Sequence, residues 1–299
     1  MTEYATIVAT TRGGVVDDLP EWVRERVSGV SVGRGARQVI EVLDLHPQIA
    51  SYASTADVAR RARVNEATVV RTAQLLGFQG WPALRLEVRS RYLASLSAGQ
   101  VLNEHLAQSR SSAADAIRQD VANLESLIRG VDVAEIGAVA ELLTSCRRGV
   151  VVGSGTFAAP GVQLSHMAQT MGYDLRLQTG GATALFNEAA LLGPDDCLVV
   201  MSFWWVPKHV VAAAQIAVDN GCAVVLVSDR RTSPLAPLAK HTLIAPSEGA
   251  SLFPSLTAPM TIVHCILAEM VSRDEPRVRA TVERNERLWR QHDLFDFSR

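Results

Sequence analysis

Along the first third of the chain, apolar residues recur at helical rather than alternating spacing. From Glu21 to Leu93 the pattern reads as helix, interrupted at Gly33–Gly35, at Pro47 and at Gly77–Pro82. Polar-faced helix continues from Leu84 to about Ser145, and "SAGQ" and "SRSSAADA" are its softest punctuation. After Arg148 the pattern changes. Short apolar runs appear as "GVVVGSGTF" (149–157), "LRLQT" (175–179), "CLVVMSF" (197–203), "CAVVLVSD" (222–229) and "HTLIAP" (241–246), with helical stretches between them. Strands alternating with helices predict βαβ units and a mostly parallel sheet covered on both faces. The expected order is a loose arm over residues 1–20, a helical domain over 21–97, a linker over 98–115, an α/β domain over 116–280, and a helix and tail over 281–299. The last segment, "RVRATVERNERLWRQHDLF", is amphipathic and charged, which suits docking on a partner subunit better than binding nucleic acid.

The segment "ASTADVARRARVNEATVVRTAQLLGFQGW" (53–81) carries the sharpest local signal. Ser54 can cap a helix with Asp57 as its capping-box partner, and Val58, Ala59 and Ala62 give that helix a buried face. Arg63–Asn65 make a turn, Asn65 caps a second helix, Val69, Ala73 and Leu76 form its core stripe, and Gly77 ends it. Two short helices joined by about three residues form a helix-turn-helix, whose second helix enters a major groove amino end first. Glu66, Ala67, Thr68, Val70 and Arg71 then face outward. Arg71 can bond guanine through two hydrogen bonds, and Asn65 or Thr68 a phosphate or base edge. A helical hairpin with no nucleic-acid role would share much of this pattern.

Charge sharpens the choice. The whole chain carries a formal net charge of −2, which excludes a generally basic surface. Between Thr55 and Leu93, however, seven arginines stand against Asp57, Glu66 and Glu87. This local excess is compatible with DNA, although a solvated helix face can look alike. Arg60, Arg61, Arg85 and Arg89 are candidates for phosphate contacts, which position a protein without specifying sequence. Lysine occurs only as Lys208 and Lys240. No apolar run reaches membrane-spanning length and the first residues lack a signal-peptide pattern, so the expected location is cytoplasmic. Cys146, Cys197, Cys222 and Cys265 lie far apart in sequence and read as buried reduced thiols. The seven histidines show no metal-ligand spacing, and no metal or cofactor is expected.

The segment "TADVARRARVNEATVVRTAQLLGFQGWPALR" resembles the DNA-binding domain of the RpiR/MurR family of bacterial transcriptional regulators. Ala62, Val64, Asn65, Ala67, Thr68, Val69, Arg71, Leu76, Gly77, Phe78, Gly80 and Trp81 carry the match. Arg63 stands where the family often has glycine, and Thr72 where an aromatic residue is common. The second half is similar to a sugar isomerase (SIS) domain through "VVVGSGT", "DDCLVVMSF", "AVDNGCAVVLVSD" and "SPLAPLA". The resemblance implies a doubly wound parallel sheet, dimerisation, and a phosphosugar held at strand-end loops.

Two of those loops depart from the family. Where phosphosugar binders run into Ser-x-Ser-Gly-x-Thr, this chain reads Ser202, Phe203, Trp204, Trp205, Val206 and Pro207. Bulk replaces a hydroxyl and a glycine, and proline lacks an N–H. The first loop reads Gly153, Ser154, Gly155, Thr156 and Phe157, with Phe157 where the family often has serine. Either the tryptophans are structural, or they line an altered pocket with Ser154, Gly155, Thr156, Ser202, Lys208 and His209. In that pocket Lys208 or His209 would attract a carboxylate.

"GSGTFAAPG" is no dinucleotide fingerprint, and no GxSxG elbow surrounds the serines. The expectation is therefore a non-enzymatic, ligand-responsive regulator, a homodimer or dimer of dimers. It would read an inverted-repeat operator in double-stranded DNA and bind a small effector, a non-sugar acid or a carbohydrate derivative. The alternatives are an SIS-type sugar-phosphate isomerase, for which Glu188 at a helix start would be the nearest carboxylate, and a dimeric scaffold with no effector.

Overall fold

The computed structural model describes residues 19–108, 113–251 and 253–296. Residues 1–18 of the expected arm, 109–112 of the expected linker, and 297–299 of the tail lie outside the described residues. Two compact units divide between Ser97 and Ala98.

The first unit is helical, with α1 Leu19–Val27, α2 Arg34–Leu45, α3 Pro47–Tyr52, α4 Thr55–Ala62, α5 Glu66–Leu75 and α6 Trp81–Ser95. The helical pattern breaks at Pro47 as expected, since α2 ends at Leu45 and Pro47 starts a new helix. The proline occupies the first turn of α3, where its missing N–H costs nothing. Trp22, Val39, Leu43, Val58, Ala62, Val69, Ala73, Leu76, Phe78, Trp81, Leu84 and Val88 belong to one core. The Trp81 indole N–H donates to the Ala53 carbonyl at 2.9 Å, which satisfies the one polar atom of that fully buried side chain.

The second unit opens with α7 Ala98–Gln108, α8 Ala113–Gly130 and α9 Val133–Ser145. Thus residues 98–108 and 113–115 of the stretch expected as linker are helical. The α/β part follows with β1 Gly149–Gly153, α10 Ala158–Thr170, β2 Leu175–Gln178, α11 Ala182–Ala190, β3 Cys197–Ser202, α12 Lys208–Asp219, β4 Ala223–Ser228, β5 His241–Ile244, α13 Thr257–Arg273 and α14 Glu275–Gln291. Among the described residues the strands form one parallel sheet in the order β2-β1-β3-β4-β5.

Alternation along the strands sorts two cores. Val151, Val199, Met201, Val225 and Val227 face Ile136 and Leu143 of α9, Leu164 of α10, and Ile262 and Ile266 of α13. Val150, Val152, Leu198, Val200, Val224 and Leu226 face Leu185 of α11 and Val210, Ala213 and Ala217 of α12. Both faces are covered, so the central strands β1, β3 and β4 read as apolar runs in the sequence, while the edge strand β2 alternates as Leu175, Arg176, Leu177 and Gln178. The order reverses beside β1, and loops leaving the carboxyl ends of β1, β3 and β4 converge there, where doubly wound sheets hold ligands.

Candidate DNA interface and effector site

The helix-turn-helix is built from local hydrogen bonds. The Ser54 hydroxyl accepts from the Asp57 N–H at 3.2 Å, and the Asp57 carboxylate accepts from the Ser54 N–H at 3.3 Å. The Ser54 hydroxyl, which also donates to the Asp57 carboxylate at 2.6 Å, and the Ser54 N–H, with Arg60 at 3.0 Å, hold the Asp57 carboxyl below its ordinary range. Arg63 ends α4 in the left-handed region, with φ 56°. Such a position favours glycine because a Cβ crowds the following carbonyl. The Asn65 side-chain oxygen accepts both the Thr68 N–H and the Thr68 hydroxyl at 2.8 Å. Arg71 reaches the Thr68 hydroxyl at 3.4 Å. Asn65, Thr68 and Arg71 thus form a hydrogen-bonded line at the amino end of α5, beside exposed Glu66 and Ala67.

Thr72 is buried and returns its hydroxyl to the Thr68 carbonyl at 2.7 Å, which accommodates a polar residue where a ring would be expected. At the other end of α5, Gly77 takes φ 88°, and the Phe78 N–H bonds the Ala73 carbonyl at 2.9 Å. Of the candidate phosphate contacts, Arg60 and Arg61 are exposed. Arg85 and Arg89 are half-buried, and the Arg89 guanidinium lies 4.1 Å from the centre of the Tyr52 ring.

In the second unit the β1 loop turns sharply. A Cβ at Gly153 would stand 2.5 Å from the Phe157 carbonyl oxygen, so only glycine fits. Gly155 takes φ 58°, Ser154 is half-buried, and Gly155 and Thr156 are exposed. Phe157 packs edge-on against Phe203 of the β3 loop, with ring centres 5.5 Å apart.

The β3 loop separates the tryptophans. Trp204 is 3% exposed and Trp205 43%, and their rings meet edge-on at 6.3 Å. Trp204 adopts φ 54°, an uncommon conformation for a bulky residue. That conformation turns its backbone N–H to the Asp229 carboxylate, at 3.3 and 3.4 Å from the two oxygens. The Ser247 hydroxyl donates to the same carboxylate at 3.3 Å. Ser202 is buried, and its hydroxyl has no hydrogen-bond partner among the described residues. Lys208 and His209 open α12 and are exposed. Glu188 lies in the last turn of α11, not at a helix start, because that helix begins at Ala182.

Sequence reasoning passed over Asp229, Ser247 and Glu248, which are buried at the ends of β4 and β5. The signal available was the aspartate closing the apolar run "CAVVLVSD", since a buried carboxylate needs donors nearby. Glu248 is fixed from afar, because Asn123 of α8 donates to its backbone carbonyl at 2.8 Å. Among the described residues no group of three or more His, Cys, Asp or Glu side chains is placed to hold a metal, and no helix is long and apolar enough to cross a membrane.

Residues 31–95 match the model of the helix-turn-helix domain of the rpiR family, and residues 142–268 match the SIS domain model. An HTH-type transcriptional regulator of Haemophilus influenzae is 22% identical over 72% of this chain and 75% of its own length. The transcriptional regulator RpiR of Escherichia coli K12 is 29% identical, over 64% of each chain. Among solved structures, the sugar isomerase domain of an RpiR transcription factor from Sphaerobacter thermophilus superposes with a TM-score of 0.55 at 28% identity, covering 57% of this chain and 96% of that one. The Vibrio vulnificus NanR protein, solved with ManNAc-6P, gives 0.58 at 18% identity, covering 93% and 99%. With a helix-turn-helix of the rpiR type followed by an SIS domain, the chain belongs to the RpiR family of transcriptional regulators.

Proposed function

We propose that this regulator acts as a dimer on an inverted-repeat operator and answers to an effector that carries no phosphate at the β3 loop. The observation that carries this reading is the Trp204 N–H turned onto the Asp229 carboxylate. A phosphate dianion at a strand-end loop needs free amides and small side chains. Here the amide already has an internal anion, Pro207 offers no N–H at the start of α12, and Trp204 fills the space. A second anion beside Asp229 would meet repulsion in a poorly solvated place. NanR holds a phosphosugar, but its likeness to this chain at 18% identity is one of fold. The effector expected is a carbohydrate derivative without phosphate, or a flat or apolar acid. Its ring would lie on exposed Trp205 and its carboxylate would meet Lys208 or His209, with Ser154, Gly155, Thr156 and Ser202 completing the wall.

On the DNA side, Asn65, Glu66, Thr68 and Arg71 would face the major groove. Arg60, Arg61, Arg85 and Arg89 would take phosphates. Ile117, Val121 and Ile128 leave an apolar stripe exposed along α8, which supports pairing of two chains through the second unit. The test is selection of fragmented genomic DNA on purified protein, with light scattering for the assembly and a ligand panel for the effector. Enriched fragments sharing an inverted repeat, bound by a dimer and released by an unphosphorylated compound, are the expected result. Release by phosphosugars alone would overturn the effector assignment and leave the DNA reading standing.

A further inference from the structure

The four cysteines are not equivalent. Cys146 caps the carboxyl end of α9 and is partly exposed, whereas Cys197 opens β3 at zero exposure. Their sulfurs stand 3.7 Å apart, although 51 residues separate them in sequence. A disulfide bond is about 2.05 Å long, so about 1.7 Å of approach would join them. The chain segments on either side hold the two thiols face to face. The Arg147 N–H bonds the Asp195 carbonyl at 2.8 Å, and the Cys197 N–H bonds the Arg148 carbonyl at 3.1 Å. Between them the Arg147 guanidinium grips the buried Asp196 carboxylate through two bonds, at 3.0 and 2.7 Å.

We propose that Cys146 and Cys197 form a reversible dithiol–disulfide site, with a small hydroperoxide as the oxidant. The more accessible Cys146 thiolate attacks the peroxide, cleaving its O–O bond. Cys146 becomes a sulfenic acid and hydroxide, or an alkoxide, leaves. The Cys197 sulfur then attacks the sulfenic sulfur, forming the S–S bond and releasing the sulfenic oxygen as water. The two cysteines together lose two electrons and two protons, and a dithiol reductant reverses the change.

The two thiols differ in the sense this order requires. The hydrogen bond between the two sulfurs holds the Cys146 thiol below its ordinary range, while the same bond and burial push Cys197 well above it. Cys222 is a poor competitor: burial pushes its thiol up to about 12, and its sulfur is turned onto the Asp196 carbonyl at 3.3 Å.

The sequence makes the test direct, because trypsin places each cysteine in a different peptide: 130–147, 177–208, 209–230 and 241–273. The full chain is treated with graded hydrogen peroxide, blocked with a thiol reagent, digested without reduction and read by mass spectrometry. The expected result is a cross-linked pair of peptides 130–147 and 177–208, abolished by dithiothreitol, with Cys222 and Cys265 still blocked as thiols. Cys197→Ala, which leaves an apolar residue in the core, should instead accumulate sulfenic acid on Cys146, captured by dimedone. Stepwise oxidation of Cys146 to the sulfinic acid in the unmodified chain with no cross-link would overturn the proposal. So would a disulfide through Cys222 or between chains.

Discussion

Asn65 combines two demands at one residue. Its side-chain oxygen caps α5 through Thr68, while its remaining amide donors stay at the amino end of the helix. Asn65→Ala should therefore cost about 1 kcal/mol of the first unit's stability, read in urea titration. Arg71 has no such structural duty. Arg71→Ala should leave folding unchanged and weaken specific DNA binding by roughly 1–3 kcal/mol, measured against random DNA at the same salt. Equal losses on both DNAs would make it a phosphate contact. Arg63 predicts the opposite sign. In the left-handed region a side chain costs about 1–2 kcal/mol, partly offset by glycine's freedom in the unfolded chain. Arg63→Gly should thus stabilise the unit by about 0.5–1 kcal/mol, provided no DNA is present. These residues were readable in sequence because each acts within four positions of itself. Asp229 was not, because its partner amide lies 25 residues away and is reached only once β3 and β4 are paired.

The helices carry their punctuation in the sequence and the strands their burial. Gly77, Ser54 and Asn65 mark ends of α4 and α5 because caps satisfy orphan backbone groups locally. The apolar runs mark the three central strands, since both faces of a parallel sheet's middle are covered. What the pattern hides is conformation between elements. Trp204 could be named as an intruder in the β3 loop, but not that a positive φ would bury it and leave Trp205 outside. At the scale of α4, the cap also predicts a response to acid. The Asp57 carboxyl is lowered in the folded chain, so its contribution is present above the unfolded value and disappears as pH falls through the folded one. Hydrogen exchange of the α4 amides should accelerate over that acidic window, relative to the intrinsic rates, and Ser54→Ala should flatten the dependence.

For the whole molecule, the helix-turn-helix and SIS order was legible because each domain has its own motifs, and both family models match. The thiol pair was illegible because 51 residues of chain separate its members, and only the sheet brings them together. Association with DNA offers a measurement at this scale. If Arg60 and Arg61 of both chains in a dimer neutralise phosphates, replacing the two by alanine should reduce the slope of log affinity against log salt by about 3–4. An unchanged slope would remove them from the interface.

The split fate of the two adjacent tryptophans has an optical consequence. Trp204 sits in the protein interior and Trp205 at its surface, 6.3 Å away, so the two indoles emit from different surroundings within one loop. A ligand settling on Trp205 would dry that ring and shift its emission to shorter wavelength while Trp204 hardly changed. Replacing Trp22, Trp81 and Trp289 by phenylalanine would leave a chain whose own fluorescence would report any ligand that settles on Trp205, with no dye attached.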